Sequence, residues 1–294
     1  MSFIAYLIIL LISFSLNILP RFASLFIGRS LGLFIYYFMP IRKRIALINI
    51  KDNLPELNHK EQLSVLKKTY KHFGMVLIDF LRSKKLNKNN INKLVSIDKN
   101  TRKILNENPG SIIMTGHLGN WEYFLPILGL NNYNFSIVAQ PIKNSYLNKY
   151  FLKIRTSENV DIIFKNESTK KMLNALNNNY FLGLASDQNA GKKGTEVNLL
   201  NIKASIPKGA AIFHIKTKKP IIIAYCIMDK NYNYIFKAKV LDTSNINLKG
   251  KKAISTINRR FTEDLEKMIK KNPKQYFWFH KMKNKNMYRN DYSK

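Results

Sequence analysis

A histidine and a carboxylate stand five positions apart in Thr115-Gly116-His117-Leu118-Gly119-Asn120-Trp121-Glu122. The pair suits general-base chemistry: a carboxylate can fix the tautomer of an imidazole and stabilise its cation, leaving the other ring nitrogen to take a proton from an attacking hydroxyl. In a continuous helix residues five apart lie roughly 140° apart around the axis, so the two could not meet there. They can meet if His117 sits in a turn and Glu122 on the first turn of the helix that follows. The apolar run Ser111 to Met114 predicts a buried strand before the turn, and Tyr123 to Leu130 a helix packed on a sheet after it. Gly116 and Gly119 allow the tight backbone between them, and amides at the new helix N-terminus are expected to face a developing oxyanion. A structural His–Glu pair would leave the same local pattern, so the reading needs further sites.

A second polar loop, Ser186-Asp187-Gln188-Asn189-Ala190-Gly191, follows the predicted strand Phe181 to Ala185 and is expected at the same sheet edge as His117. Arg155 ends a predicted helix from Ser145 to Ser157. Near the C-terminus lies Pro273-Lys274-Gln275-Tyr276-Phe277-Trp278-Phe279-His280-Lys281, an aromatic segment whose simplest use is core packing. Taken singly, the loop is also what a capping Asp in an ordinary turn looks like.

In order along the chain, these motifs resemble those of a known family. His117 to Glu122 is similar to the His-x4-Glu/Asp motif of the glycerolipid acyltransferase superfamily, and in detail to the lipid A biosynthesis late acyltransferases, the lauroyl/myristoyl transferases of Gram-negative bacteria. Asp187-Gln188 matches the family's Asp-Gln at a strand end, and Arg155 its arginine between the two motifs. Pro273 to Lys281 resembles its closing Pro-x-Gln-Tyr/Trp-x-Trp-x-His-Arg, with Lys281 and Met282 in place of the usual basic and aromatic residues. Gln140 stands where family members usually carry Arg. The glycerol-3-phosphate branch shows His-x4-Asp followed by Pro-Glu-Gly-Thr, which this chain lacks. The resemblance runs from about Asn49 to Lys283. It implies catalysis by His117 and Glu122, and substrate binding by Arg155, Asp187, Gln188 and Asn120. It implies direct attack on an acyl thioester without an acyl-enzyme, and no cofactor or metal.

The composition fits polyanionic partners. Of 294 residues, 49 are basic and 18 acidic, a net charge of +31. An anionic membrane, a phosphoglycolipid acceptor and an acidic acyl carrier protein would each complement that charge. No zinc-finger spacing or aromatic RNA-binding signature accompanies it, so nucleic acid is not the expected partner. The single cysteine, Cys226, excludes an internal disulfide and reads as a buried thiol.

Residues 1–20 read as a transmembrane anchor, because the first 19 carry no charge. Residues 21–48 read as an interfacial or membrane-associated basic segment, since Arg29 and Pro40 interrupt the apolar run of 22–41. The basic residues after the anchor place the bulk of the chain on the cytoplasmic side of the inner membrane. Residues 49–283 read as the catalytic domain and 284–294 as a charged tail. A capped helix starting after Asn58 is followed by a linker, Ser83 to Asn92.

Beyond that linker, predicted strands at 111–114, 135–139, 160–164, 181–185, 196–200, 220–227 and 234–240 alternate with helices at 120–130, 145–157, 168–177, 208–217 and 251–271. This alternation predicts an α/β fold with a central, mostly parallel sheet flanked by helices, preceded by an N-terminal membrane helix. The expected function is transfer of a fatty acyl chain from acyl carrier protein to a hydroxyl of a Kdo-lipid A precursor. A lysophospholipid or other glycolipid acylated from acyl-CoA is the alternative. A tethered basic protein that binds anionic lipid or nucleic acid without catalysis leaves the two strand-end motifs unexplained.

Overall fold

The computed structural model describes residues 2–165, 167, 169–246, 250–283 and 288. Two apolar helices, α1 (Ser2–Ile18) and α2 (Arg21–Phe38), break at Leu19-Pro20 and lead into α3 (Lys43–Asn53) and the long α4 (His59–Leu81). A capping box starts α4: the Glu61 N–H donates to Asn58 Oδ1 at 3.0 Å, and the Asn58 N–H to Glu61 Oε2 at 2.9 Å.

The alternating part then follows as α5 (Ile91–Leu94), β1 (Val95–Ile97), α6 (Lys99–Glu107), β2 (Ile112–Thr115), α7 (Phe124–Leu130), β3 (Phe135–Ala139), α8 (Ser145–Arg155), β4 (Val160–Phe164), α9 (Thr169–Asn177) and β5 (Phe181–Ala185). It continues through β6 (Thr195–Leu199), β7 (Ile202–Ile206), α10 (Gly209–Thr217), β8 (Ile221–Met228), β9 (Tyr234–Val240) and α11 (Gly250–Lys271).

One sheet has the order β1-β9-β8-β2-β5-β3-β4, and β6 and β7 form a separate antiparallel hairpin. Only β8 and β9 pair antiparallel within the large sheet. Alternate residues of the central strands feed two cores. Ile112, Met114, Leu182 and Ile223 pack with α10 and α11 on one face, while Ile113, Ile222 and Ala224 pack with α7 on the other. The first helix after β2 thus covers the opposite face from the first helix after β5. In open α/β sheets this switch leaves a crevice at the strand C-terminal ends.

The expected parallel sheet with flanking helices is present. Two strands were not legible in the sequence. β1 is only three residues long. β7 follows β6 across Leu200-Asn201, and Leu200 takes a φ of 56°, a conformation for which leucine gives no sequence signal. The helix expected from Asn120 begins as a short 3-10 turn, Trp121–Tyr123, before α7. The charged tail lies almost wholly outside the described residues.

The N-terminal expectation also changes. Among the described residues no single helix is long and apolar enough to cross a membrane. The 17 residues of α1 rise about 26 Å at about 1.5 Å per residue, short of the roughly 30 Å hydrocarbon core. α2 and α3 are bent by 95° relative to each other. α1 rests on α4 and α8 through Leu16, Ile78 and Ile154, with Phe3 and Tyr6 against Tyr146, while Leu11 and Ile18 each keep 68% of their surface exposed.

α2 docks on α4 backbone to backbone. A Cβ at Gly32 would lie 2.2 Å from the Tyr70 carbonyl oxygen, and one at Gly74 2.1 Å from that of Gly28. Gly28 and Gly32 are four apart, the small-residue spacing that lets helices approach closely. Gly32→Ala should therefore force the helices apart, costing about 1–3 kcal/mol and lowering Tm by about 2 °C or more. Gly209→Ala, whose Cβ would meet nothing nearer than 3.8 Å, should leave Tm unchanged or slightly raised. Thermal unfolding of both variants in the same detergent checks this.

Candidate active site

β2 and β5 run parallel with Thr115 opposite Ala185. His117 and Asp187 each lie two residues past those partners, so the register alone brings them side by side at the crevice. The Ser186 N–H extends the ladder to the Thr115 carbonyl at 2.8 Å. Asp187 then closes on the turn: its Oδ2 accepts the His117 backbone N–H at 2.7 Å, and its Oδ1 lies 2.7 Å from His117 Nδ1. The Asp187 side chain is fully buried, whereas 17% of the His117 side chain remains open.

This geometry sets the charges. Burial pushes the Asp187 carboxyl up, but the charge and hydrogen bonds of His117, with His280 nearby, pull it down further, to about 2. Burial lowers the His117 pKa, and Asp187, with a smaller contribution from Glu122, more than offsets this, so the ring ends above its ordinary value. With Nδ1–H committed to Asp187, the lone pair of neutral His117 is on Nε2. The Gln188 side-chain nitrogen lies 3.2 Å from it and can donate to it, and Gln188 is exposed, so a substrate hydroxyl can displace it.

The backbone around His117 is clamped from two sides. The Gly119 N–H donates to the Gln275 carbonyl at 2.9 Å, the Asn120 N–H to the Cys226 carbonyl at 2.8 Å, and the Phe277 N–H to the His117 carbonyl at 2.9 Å. The Gln275 side chain locks the end of β8, accepting from the Met228 N–H at 2.9 Å and donating to its carbonyl at 2.8 Å. Gly119 has a φ of 69°, and a Cβ there would lie 2.0 Å from the Cys226 oxygen, so only glycine fits. Behind it His72 is buried with its Nε2 3.5 Å from the Gly119 carbonyl, and burial drives its pKa down to about 3.

Two site expectations are corrected. Glu122 does not pair with His117: it stands on the 3-10 turn, and Arg155 at the end of α8 takes both its oxygens, at 2.9 and 2.6 Å. The guanidinium is the stronger competitor because its two parallel N–H groups match a carboxylate. Asn120 is not at a substrate surface. It is fully buried, and its Nδ2 donates at 3.0 Å to the Tyr234 hydroxyl, which donates at 2.8 Å to Asp79. Within the turn itself the amides of His117, Leu118, Gly119 and Asn120 are each taken, by Asp187, Gly116, Gln275 and Cys226.

The sequence had grouped Asp187, Gln188 and His117 at one sheet edge without identifying Asp187 as the histidine's partner. The equal offset of both residues from Thr115 and Ala185 becomes a signal only once the pairing of β2 with β5 is known. His280 was also underweighted. Its ring centre lies 6.4 Å from that of His117, and its Nδ1–H donates to the Phe277 carbonyl at 2.8 Å. Trp121, edge-on to His117 at 4.8 Å, joins Phe73, Phe277 and Phe279 in an aromatic wall beside the imidazole. Cys226 is fully buried and its thiol is pushed well above the usual value, so it is no nucleophile.

A family model for bacterial lipid A biosynthesis acyltransferases matches residues 1–283, and the chain belongs to that family. No curated protein sequence matches it significantly.

An acyltransferase with this base should lose rate as pH falls through the His117 pKa, which lies above the ordinary imidazole value of about 6.5. Asp187→Asn removes the charge that raises it. The acid limb of kcat/KM should move to lower pH, and the plateau should drop on the order of 10²- to 10⁴-fold. A pH–rate series on the two proteins checks both changes.

Proposed function

We propose that this acyltransferase moves a fatty acyl chain from an acyl thioester, carried by acyl carrier protein, to a hydroxyl of a Kdo-lipid A precursor at the cytoplasmic face of the inner membrane. The observation that carries this reading is the His117–Asp187 pair at the open end of β2 and β5, with Nε2 facing outward. Nε2 takes the proton of the acceptor hydroxyl as its oxygen bonds to the thioester carbonyl carbon. Collapse of the tetrahedral adduct breaks the C–S bond, and the imidazolium returns the proton to the departing thiolate. Asp187 stabilises the imidazolium in between. No acyl-enzyme is required, and the side chains that act are all resident in the chain.

Membership in the family supports acyl transfer in lipid A biosynthesis. The net charge of +31 suits an acidic carrier and a phosphorylated acceptor. Arg155, already held by Glu122 through Nε and Nη2, has its other N–H groups left for an anionic group of the substrate. The unburied apolar faces of α1 and α2, with Leu11, Phe14, Phe22, Phe26 and Phe38 at their centre, support seating of the enzyme in one leaflet without a full span.

The test is transfer from acyl carrier protein to a Kdo-lipid A precursor, followed by the mass of the lipid product. Wild-type enzyme should add one fatty acyl group, and His117→Ala should cut the rate by at least about 10²-fold. Equal product from both proteins would remove His117 from the chemistry. Product formed only with a lysophospholipid and acyl-CoA would replace the acceptor and the donor.

A further inference from the structure

Beside the elbow between α1 and α2, whose Leu16 and Leu19 carbonyls hold Arg82, lies a cavity that the acyl-transfer site does not use, lined by Arg21, the end of α4 and residues 85–94. Its volume is about 550 Å³, and its charged lining is Arg21, Arg82, Lys85, Lys93 and Asp79. The one carboxylate is already neutralised. Arg21 grips both oxygens of Asp79, at 2.9 and 2.7 Å, and Tyr234 donates to one of them. That leaves three cations in excess. Arg82 is held by Nη1 on neutral groups only, the carbonyls of Leu16 and Leu19 and the hydroxyl of Ser24. Among the described residues no carboxylate pairs with Arg82, Lys85 or Lys93. Burial works against the Arg82 charge more than Asp79, whose oxygens Arg21 already holds, supports it through space.

Arg21 also lines a second cavity, an apolar groove of about 700 Å³ along α2 with Phe22, Leu25, Phe26 and Met75 in its wall. Phe22 and Phe26 leave 78% and 68% of their surface uncovered. Both volumes fall in the roughly 300–1,000 Å³ range of small-molecule sites. A cationic pocket and an apolar groove on either side of one arginine are complementary to a molecule with an anionic head and a hydrocarbon tail. The hydrogen-bond and ring partners of His117, namely Asp187, Gln188, Trp121, Phe277 and His280, line neither cavity.

We propose that the α1–α2 elbow binds one anionic glycerophospholipid, with its phosphate among Arg82, Lys85 and Lys93 and an acyl chain along Phe22, Leu25 and Phe26, separately from the acyl-transfer site. The floor of the site is fixed. Asp79 is two hydrogen bonds from Asn120, through Tyr234, so its wall is part of the buried frame behind the His117 turn. The proposal does not rest on the identity of the acyl acceptor.

Native mass spectrometry of the full chain in a neutral detergent, offered equimolar phosphatidylglycerol and phosphatidylcholine, tests it. One phosphatidylglycerol should be retained per chain, with at least a tenfold preference. Lys85→Gln/Lys93→Gln should abolish that preference. Lys192→Gln/Lys193→Gln, the same loss of charge at two exposed lysines of another loop, should leave it intact, and all four side chains are exposed enough for folding to be unaffected. Phe22→Ser/Phe26→Ser should weaken retention of the lipid. Equal losses in the two lysine variants would reduce the effect to net charge and overturn the site. So would displacement of the lipid by millimolar inorganic phosphate, which would make free phosphate the ligand. Displacement by the phosphorylated acyl acceptor, with a raised KM in Lys85→Gln/Lys93→Gln, would make the elbow an acceptor subsite and overturn its independence.

Discussion

The parallel pairing of β2 with β5 is the constraint on which the site depends. A shift of one residue would turn alternate side chains to the wrong face of the sheet. Here both faces are buried, and Ile112, Ile113 and Met114 have no exposed surface, so any slip would put a side chain of the wrong shape into one core or the other. Packing on both faces therefore fixes Thr115 opposite Ala185. His117 and Asp187 inherit that alignment, although they are seventy residues apart in sequence. The C-terminal segment Gln275 to Phe277 finishes the job by pinning the turn from its far side.

Two carboxylates lie close enough to His117 to raise its pKa, and the structure divides them by what else each can reach. Asp187 is fully buried and has the imidazole as its charged hydrogen-bond partner. Its ionised form survives because that partner supplies two hydrogen bonds, from the ring and from the backbone N–H. Glu122 is partly open and is satisfied by Arg155 on both oxygens. The arginine thus prevents two anions from competing for one ring, and it leaves Glu122 acting on His117 through space alone. It also ties the end of α8 to the 3-10 turn that follows His117, so the helix that packs against α1 is mechanically joined to the His117 turn.

Strand positions and the sheet-edge location of both motifs were legible because apolar runs bounded by polar turns are local signals. Pairing was not. His117 and Glu122 are near in sequence, and a five-residue interval across a turn invites the inference that they touch. Which of two nearby carboxylates meets the ring depends on strand order and register, neither of which is written in either segment. Asn120 was misread for a similar reason. Its place in a motif says nothing of which way it faces, and the bond from its N–H to Cys226 turns the side chain inward toward Tyr234. The N-terminal apolar run was visible, but its span was not: Pro20 cuts the first helix short, and the glycines of α2 give that helix a partner on α4 instead of lipid on all sides.

That packing makes the apolar helices part of the catalytic fold. Arg21, at the first turn of α2, reaches Asp79 on α4, and Tyr234 on β9 donates to the same carboxylate. Removing one member of such a buried ion pair typically costs about 3–5 kcal/mol, because the remaining charge loses its partner. Detaching α2 would strand Asp79 in just this way, beside Tyr123 and two hydrogen bonds from the turn that carries His117. The apolar N-terminal helices and the His117 turn are therefore coupled by one buried carboxylate, and an arrangement that moved α2 away from the sheet would disturb the frame of the candidate site before it touched His117 itself.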